Sequence, residues 1–232
     1  MAVFTAFLDT LPTPNYKIGT AGQAGTVEGP GYASVKIDSV HQVMRDKTNS
    51  GRLIARAVAA HRWEIDIQYN PMTRAEFNPV SSFLYEKQGG LKPFYIELPQ
   101  YSQTGSPGTY TTSVALYAGN TYAMINATIV TAPSPGDMFT ISDSANSNHT
   151  KAYMVTRVET NADYNSNLGG SPALNTQVRL HFTPPLQKSI SAGSSFVFSN
   201  PRIKVVQKSD VFSYSLGTNN LYSFSLSLEE VQ

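Results

Sequence analysis

The chain has 232 residues, enough to bury one large core or two smaller ones. Its 17 basic and 16 acidic residues nearly cancel, charged residues are only 14% of the total, and no long run carries one sign. That excludes a general electrostatic affinity for nucleic acid or anionic membrane. Cysteine is absent, which excludes disulfides and thiolate metal sites and suits assembly in a reducing cytosol.

Abundant Tyr and Phe (13 and 11) among many Ser, Thr, Gly, Pro and Asn make a sheet-and-turn composition. The first residues, "MAVFTAFLDTLPTPNYKIG", have no basic opening and no long apolar core, so no secretory leader is expected. No run approaches the roughly 20 apolar residues of a membrane span. "GTAGQAGTVEGPGY" follows. Its Gly19, Gly22 and Gly25 make no dinucleotide fingerprint, because no strand leads in and no helix follows. No Lys-Ser/Thr comes after them, so a flexible loop is expected rather than a phosphate cradle. The sequons at Asn126 and Asn148 are read as accidental.

In "RWEIDIQY", Trp63, Ile65, Ile67 and Tyr69 alternate with Arg62, Glu64, Asp66 and Gln68. Successive side chains of a strand point to opposite faces, so this is a half-buried strand with one wet face. "NPMTRAEFNPVSSFLYEKQGG" then predicts a helix over about 73–88. Thr73 and Glu76 have capping-box spacing, and Phe77, Val80, Phe83 and Leu84 form one apolar stripe. An interior proline costs about 3 kcal/mol, so either the helix begins near Asn78 with Pro79 in its first turn or it kinks there. "QGG" predicts a glycine C-cap. "LKPFYIELP" reads as the next strand. The helix is expected to cover one sheet face, and in an assembly to pack beside a neighbouring subunit.

"QYSQTGSPGTY" reads as a hinge. Six strand-like segments follow it, namely "TTSVALYA", "TYAMINATIV", "DMFTIS", "KAYMVTRVE", "QVRLHF" and "SSFVFS". Residues 103–200 are therefore expected to form a small β-barrel or sandwich inserted into an outer domain of residues 1–102 and 201–232, to which "NPRIKVVQ" returns. At the C-terminus, "VFSYSL" and "YSFSLSLEE" flank a "GTNN" turn and predict a hairpin. In it Phe212, Tyr214, Leu216, Tyr222, Phe224, Leu226 and Leu228 point inward, and Ser223, Ser225 and Ser227 outward.

Little here suggests catalysis. No two of His41, His61, His149 and His181 share a metal-ligand spacing in the sequence. His61 and His181 read as structural, and His149 as a solvated loop residue. Asp137 and Asp143 lack the calcium-loop register and suit turns. No G-x-S-x-G elbow occurs. Glu64 and Asp66 could pair as carboxylates, but Arg62 beside them favours a solvated mixed-charge face. No enzyme activity, cofactor or metal is expected.

Three segments resemble bacteriophage tail proteins of the tube-like group, which includes distal-tail, baseplate-hub and tube-initiator proteins. They are "RWEIDIQYNPMTRAEFNPVSSFLYEKQGGLKPFYIELP", "PGDMFTISDSANSNHTKAYMVTRVE" with "QVRLHFTPPLQKSISAGSSFVF", and the closing "FSLSLEEVQ". The resemblance implies a mainly β protein, a tail-tube-like β-sandwich with one covering α-helix plus the inserted small β-barrel or sandwich. It also implies a structural role in the virion after assembly in the host cytoplasm. The expected form is a homo-oligomeric ring, hexameric by resemblance, at the tail tip or baseplate end of the tube. Such a ring docks neighbouring tube, hub or baseplate proteins and passes DNA without binding it tightly.

Within that frame Trp63, Ile65, Ile67, Phe77, Phe83, Leu84, Phe224, Leu226 and Leu228 are the expected core. Trp63 and Phe83 are expected to face each other across it. Arg62, Glu64, Asp66, Ser223, Ser225 and Ser227 are the expected lumen face. The alternative is a glycan-binding adhesin module using the Tyr-rich insert, with Tyr117 and Tyr122 in "YAGNTYAM".

Overall fold

The computed structural model describes residues 9–13, 30–101, 107–146, 149–163 and 170–231. The glycine loop at Gly19, Gly22 and Gly25, the sequon at Asn148 and hinge residues 102–106 lie outside the described residues. In chain order the elements are β1 (Tyr32–Lys47), β2 (Leu53–Tyr69), α1 (Arg74–Lys87), β3 (Phe94–Glu97), β4 (Thr109–Thr111), β5 (Tyr122–Ile125) and β6 (Met138–Ser142). They continue with β7 (Ala152–Glu159), β8 (Val178–Thr183), β9 (Ser195–Val197), β10 (Arg202–Gln207), β11 (Ser215–Leu216), β12 (Tyr222–Ser223) and β13 (Ser225–Glu230). The protein is mainly β and divides into two compact units, residues up to Ile96 with Lys204–Val231, and Glu97–Ile203.

The first unit is built on a five-stranded sheet in the order β1-β2-β13-β10-β3. Leu226 pairs with Ile67 and Leu228 with Ile65, so the alternating apolar residues of two strands land on the same face. Trp63, Ile65, Ile67, Phe224, Leu226 and Leu228 are all buried there, as are Phe77, Val80, Phe83 and Leu84 of α1. Phe83 meets Phe94 of β3 edge-on at 5.3 Å, and Phe77 meets Phe224 at 6.2 Å. The helix thus closes this face. Each such aromatic or aliphatic side chain contributes about 1.5–3 kcal/mol by leaving water. Trp63 itself packs edge-on against His61 at 4.7 Å.

Helix α1 begins at Arg74 rather than Asn78, because its capping box forms. Glu76 Oε2 accepts from both the Thr73 N–H and its hydroxyl, each at 2.8 Å. Pro79 lies inside the helix and is buried. At the C-terminus the first left-handed residue is Gln88 (φ 56), not a glycine. Gly89 follows at φ 64, and there an added Cβ meets the Asp210 Cα at 3.0 Å, so both conformation and space favour glycine.

The β3 edge of the sheet is covered by the chain's own start. Leu11 N–H donates to Tyr95 O (2.8 Å) and Tyr95 N–H to Asp9 O (2.6 Å), a short parallel pairing. Asp9 also approaches the buried Lys87 ammonium at 3.8 Å, and Leu11 is fully buried.

The second unit is a six-stranded sheet, β4-β9-β6-β7-β8-β5. A bridge between Thr112 and Ile125 joins its two ends, and Asn126 N–H donates to Thr111 O at 2.9 Å, so the sheet closes on itself. Phe139 sits at its centre, with Tyr153, Phe182, Phe196 and Phe198 rings 5.0–5.6 Å away. Fully buried Arg179 pairs with Glu159 at 2.9 Å and lies over the Tyr122 ring at 5.5 Å.

Several expectations are corrected. β1 and the first half of β2, Leu53 to His61, are strand where no strand was expected. "TTSVALYA" is strand only at its start; beyond the Thr112 bridge it bends and returns to the sheet at a single bridge, Leu116 to Ile190. The C-terminal hairpin is confined to β11 and β12, with Tyr214 and Leu216 exposed rather than inward. Ser223 therefore belongs to that two-stranded ladder and not to the five-stranded sheet, which the chain enters only at Ser225. His149 is buried, not solvated, because its Nε2 takes the Tyr153 hydroxyl at 2.8 Å.

Candidate functional site

The feature that stands out in the first unit is the sheet face opposite α1. Arg62, Glu64 and Asp66 of β2 share it with Ser225, Ser227 and Glu229 of β13, since cross-strand partners lie on one side. Register brings Lys36 and Asp38 of β1 alongside, opposite Asp66 and Glu64. Of the expected lumen residues, the sheet gathers Arg62, Glu64, Asp66, Ser225 and Ser227, while Ser223 lies on another ladder.

Charges on this face are paired. Glu64 accepts from Lys208 Nζ at 2.6 Å and from Arg62 at 2.9 Å, while Lys36 meets Asp38 at 2.5 Å. Ser227 Oγ donates to Asp66 at 2.6 Å. The hydrogen bond from Lys208, with that from Arg62, holds the Glu64 carboxyl below its ordinary value. The same bond holds the Lys208 ammonium above its own. Lys36, Arg62 and Lys208 are each committed to a carboxylate, while Lys204 of β10 shares the face by register; most of its cations are thus held away from a phosphate backbone, whose affinity for proteins comes mainly from uncommitted Lys and Arg. Sequence reasoning missed Lys36, Asp38, Lys208 and Glu229. Glu229 was visible in the alternation of "SLSLEE", but the others depend on register.

Beyond His41 and His61 the β1–β2 ribbon continues to Lys47 and Leu53 with little cover. Val43, Met44, Leu53 and Ile54 are exposed. Met44 and Ile54 lie on one face of the ribbon and Val43 and Leu53 on the other, by register. A two-stranded ribbon is marginal alone in water, and apolar side chains exposed on both faces suit burial against another protein.

Asp137 and Asp143 cap turns, accepting from the N–H of Ser134 and of Ala145. His181 bonds Glu159 and Arg157 within the second unit. Tyr122 lies under Arg179, while Tyr117 is exposed. Among the described residues no three His, Cys, Asp or Glu side chains are grouped to hold a metal, and no helix is long and apolar enough to cross a membrane.

Residues 23–101, which include β1, β2, α1 and β3, match the family model described as distal tail protein pb9, A domain, N-terminal. The chain is also 28% identical over 207 residues to distal tail protein pb9 of Escherichia phage T5, covering 87% of this chain and 93% of that one. The resemblance is to phage distal tail proteins. It supports a structural protein of the virion tail that associates with other tail proteins. The family match covers the ribbon, the charged strand and the helix behind it. Likeness to the T5 distal tail protein runs well beyond that match, across most of the chain.

Proposed function

We propose that this protein is a non-enzymatic ring subunit of a phage tail, at the tail tip or baseplate end, whose charged sheet face lines the DNA channel. The observation that carries the reading is the two-sidedness of the five-stranded sheet. One face is sealed by α1, and the other carries Arg62, Glu64, Lys208 and Glu229 in mutually compensated pairs, with Asp66 accepting from the Ser227 hydroxyl. A channel that passes DNA needs a wet wall with few uncommitted cations, and the pairing of Lys36, Arg62 and Lys208 supports that reading. The exposed ribbon supplies apolar contact for a neighbour, with a hexamer expected from the resemblance. Assembly takes place in the host cytoplasm, before the ring joins adjacent tube, hub or baseplate proteins.

Light scattering after size exclusion, with particle imaging, tests this. Closed rings that open or dissociate in Ile54→Asp support the reading. A chain that stays monomeric at every concentration, alone and with its tail partners, overturns it.

A further inference from the structure

The antiparallel register sets His41 directly opposite His61, with ring centroids 4.5 Å apart. Both imidazoles turn Nε2 toward one oxygen. Ser39 Oγ lies 3.1 Å from His41 Nε2 and 2.9 Å from His61 Nε2. A hydroxyl has a single proton, so Ser39 donates to one ring and accepts from the N–H of the other. Two imidazole nitrogens therefore converge on one point from adjacent strands.

We propose that His41 and His61 form a two-imidazole site for a first-row divalent cation of the Zn²⁺ or Ni²⁺ class. Nε2 of each ring binds the ion, and the Ser39 hydroxyl and water complete its shell. Imidazole ligands favour Zn, Ni and Cu over the hard cations Mg and Ca. Metal–imidazole bonds are about 2.0–2.1 Å, so the ion sits between the two Nε2 atoms and the Ser39 side chain swings aside from that point to ligate it.

The scaffold keeps movement of the rings small. Both histidines sit in paired strands, with Val40 opposite Arg62 on one side and Val43 opposite Ala57 on the other. Trp63, edge-on to His61 at 4.7 Å, limits the ring's swing. Proton accounting is simple. The ring that now carries its proton on Nε2 moves it to Nδ1 when that nitrogen takes the metal, so two neutral imidazoles bind with no proton released. Protons compete for the same lone pairs, so affinity falls in acid. The register shifts between His41 and Val43, so a bound ion cross-links the strands where their pairing changes step.

The test uses the tag-free full-length chain titrated with ZnCl₂ or NiCl₂, followed by calorimetry and thermal melting, with MgCl₂ as the control ion. The expected result is one saturable site and a Tm rise reversed by EDTA. Affinity should fall at least about tenfold in His41→Gln and in His61→Gln, and stay unchanged in His181→Gln. Nitrogen-15 spectra of the wild-type rings give a readout that needs no variant, with His41 and His61 responding first. Absence of saturable binding at about 1 mM Zn²⁺ overturns the proposal. So does wild-type affinity in both variants, an equal loss in His181→Gln, or another histidine responding first.

Discussion

Glu64 and Glu229 lie directly opposite each other on the β2–β13 ladder, and cations hold both. Arg62 reaches Glu64 at 2.9 Å and Glu229 at 3.9 Å, while Lys208 approaches Glu64 at 2.6 Å. Like charges in that position repel unless compensated. Lys208→Ala is therefore expected to raise the titration midpoint of Glu64 toward an ordinary carboxylate. Lys208 is half exposed and Glu64 keeps its Arg62 contact, so melting at neutral pH should hardly change. Carboxyl NMR titration checks it, and an unmoved Glu64 midpoint would show that the contact is not kept in solution.

Leu226 and Ser225 are neighbours with opposite fates. Leu226 is buried against Ile67, whereas Ser225 is exposed. Leu226→Asp places an unpaired charge in the core and should unfold the first unit. Ser225→Asp should leave the monomer folded, and in a ring it repeats a negative charge around the axis. Urea midpoints separate the two, and equal midpoints contradict the assigned faces.

Buried Arg179 depends on Glu159 for its ion pair, while Glu159 also meets Arg157 and His181. Removing one partner of such a pair costs about 3–5 kcal/mol, because the other charge is left buried. Glu159→Gln should show a loss of that order, and Glu159→Gln with Arg179→Met should recover much of it. A single-variant loss below about 1 kcal/mol would mean that water reaches the site.

His149 gives the second unit an acid limit. Burial, then the nearby Lys188 charge, hold its imidazole down to about 4, against an ordinary 6.5, with Asp143 opposing. A group with a depressed folded value leaves the unfolded chain binding the extra proton first. The stability it contributes is complete above pH 6.5 and lost progressively down to about pH 4. Melting temperature should fall across that window in the wild type and less steeply in His149→Gln. Parallel slopes in the two proteins would assign the acid loss to other groups.

We also propose that the second unit is a separable insertion. The chain leaves the first unit after Ile96 on β3 and returns at Lys204 on β10, which are neighbouring strands about 5 Å apart. Replacing residues 103–200 with a short Gly/Ser linker should leave a cooperatively folding first unit. Loss of the cooperative transition in the shortened chain would count against it.

The elements that could be read from the sequence are those with a local signature. Trp63 to Tyr69 and Ser225 to Glu230 alternate because one face is sealed, and Thr73 with Glu76 announces α1. β1 was not legible for the complementary reason. It is an outer strand, and its distal half is exposed on both faces, so no period-2 contrast marks it. The His41–His61 pair and the Lys208–Glu64 contact arise only from strand pairing, which spacing along the chain does not reveal. His149 sits in a polar stretch whose composition suggests solvent, yet the Tyr153 hydroxyl draws it inside.

The short pairing of Asp9 to Leu11 with Tyr95 leaves the five-stranded sheet with unequal borders. Among the described residues one margin is already taken and only that of β1 is open. Subunits cannot then be zipped border to border into an unbroken hoop unless the amino-terminal segment first lets go of Tyr95. Joined through side chains of the ribbon instead, they can close with that segment in place. The Tyr95 amide reports the difference, because hydrogen exchange there stays slow on assembly if the segment remains and passes through a fast phase if it must leave. The same unequal borders restrain stray subunits, since a sheet with a single open margin cannot lengthen indefinitely by adding copies edge to edge.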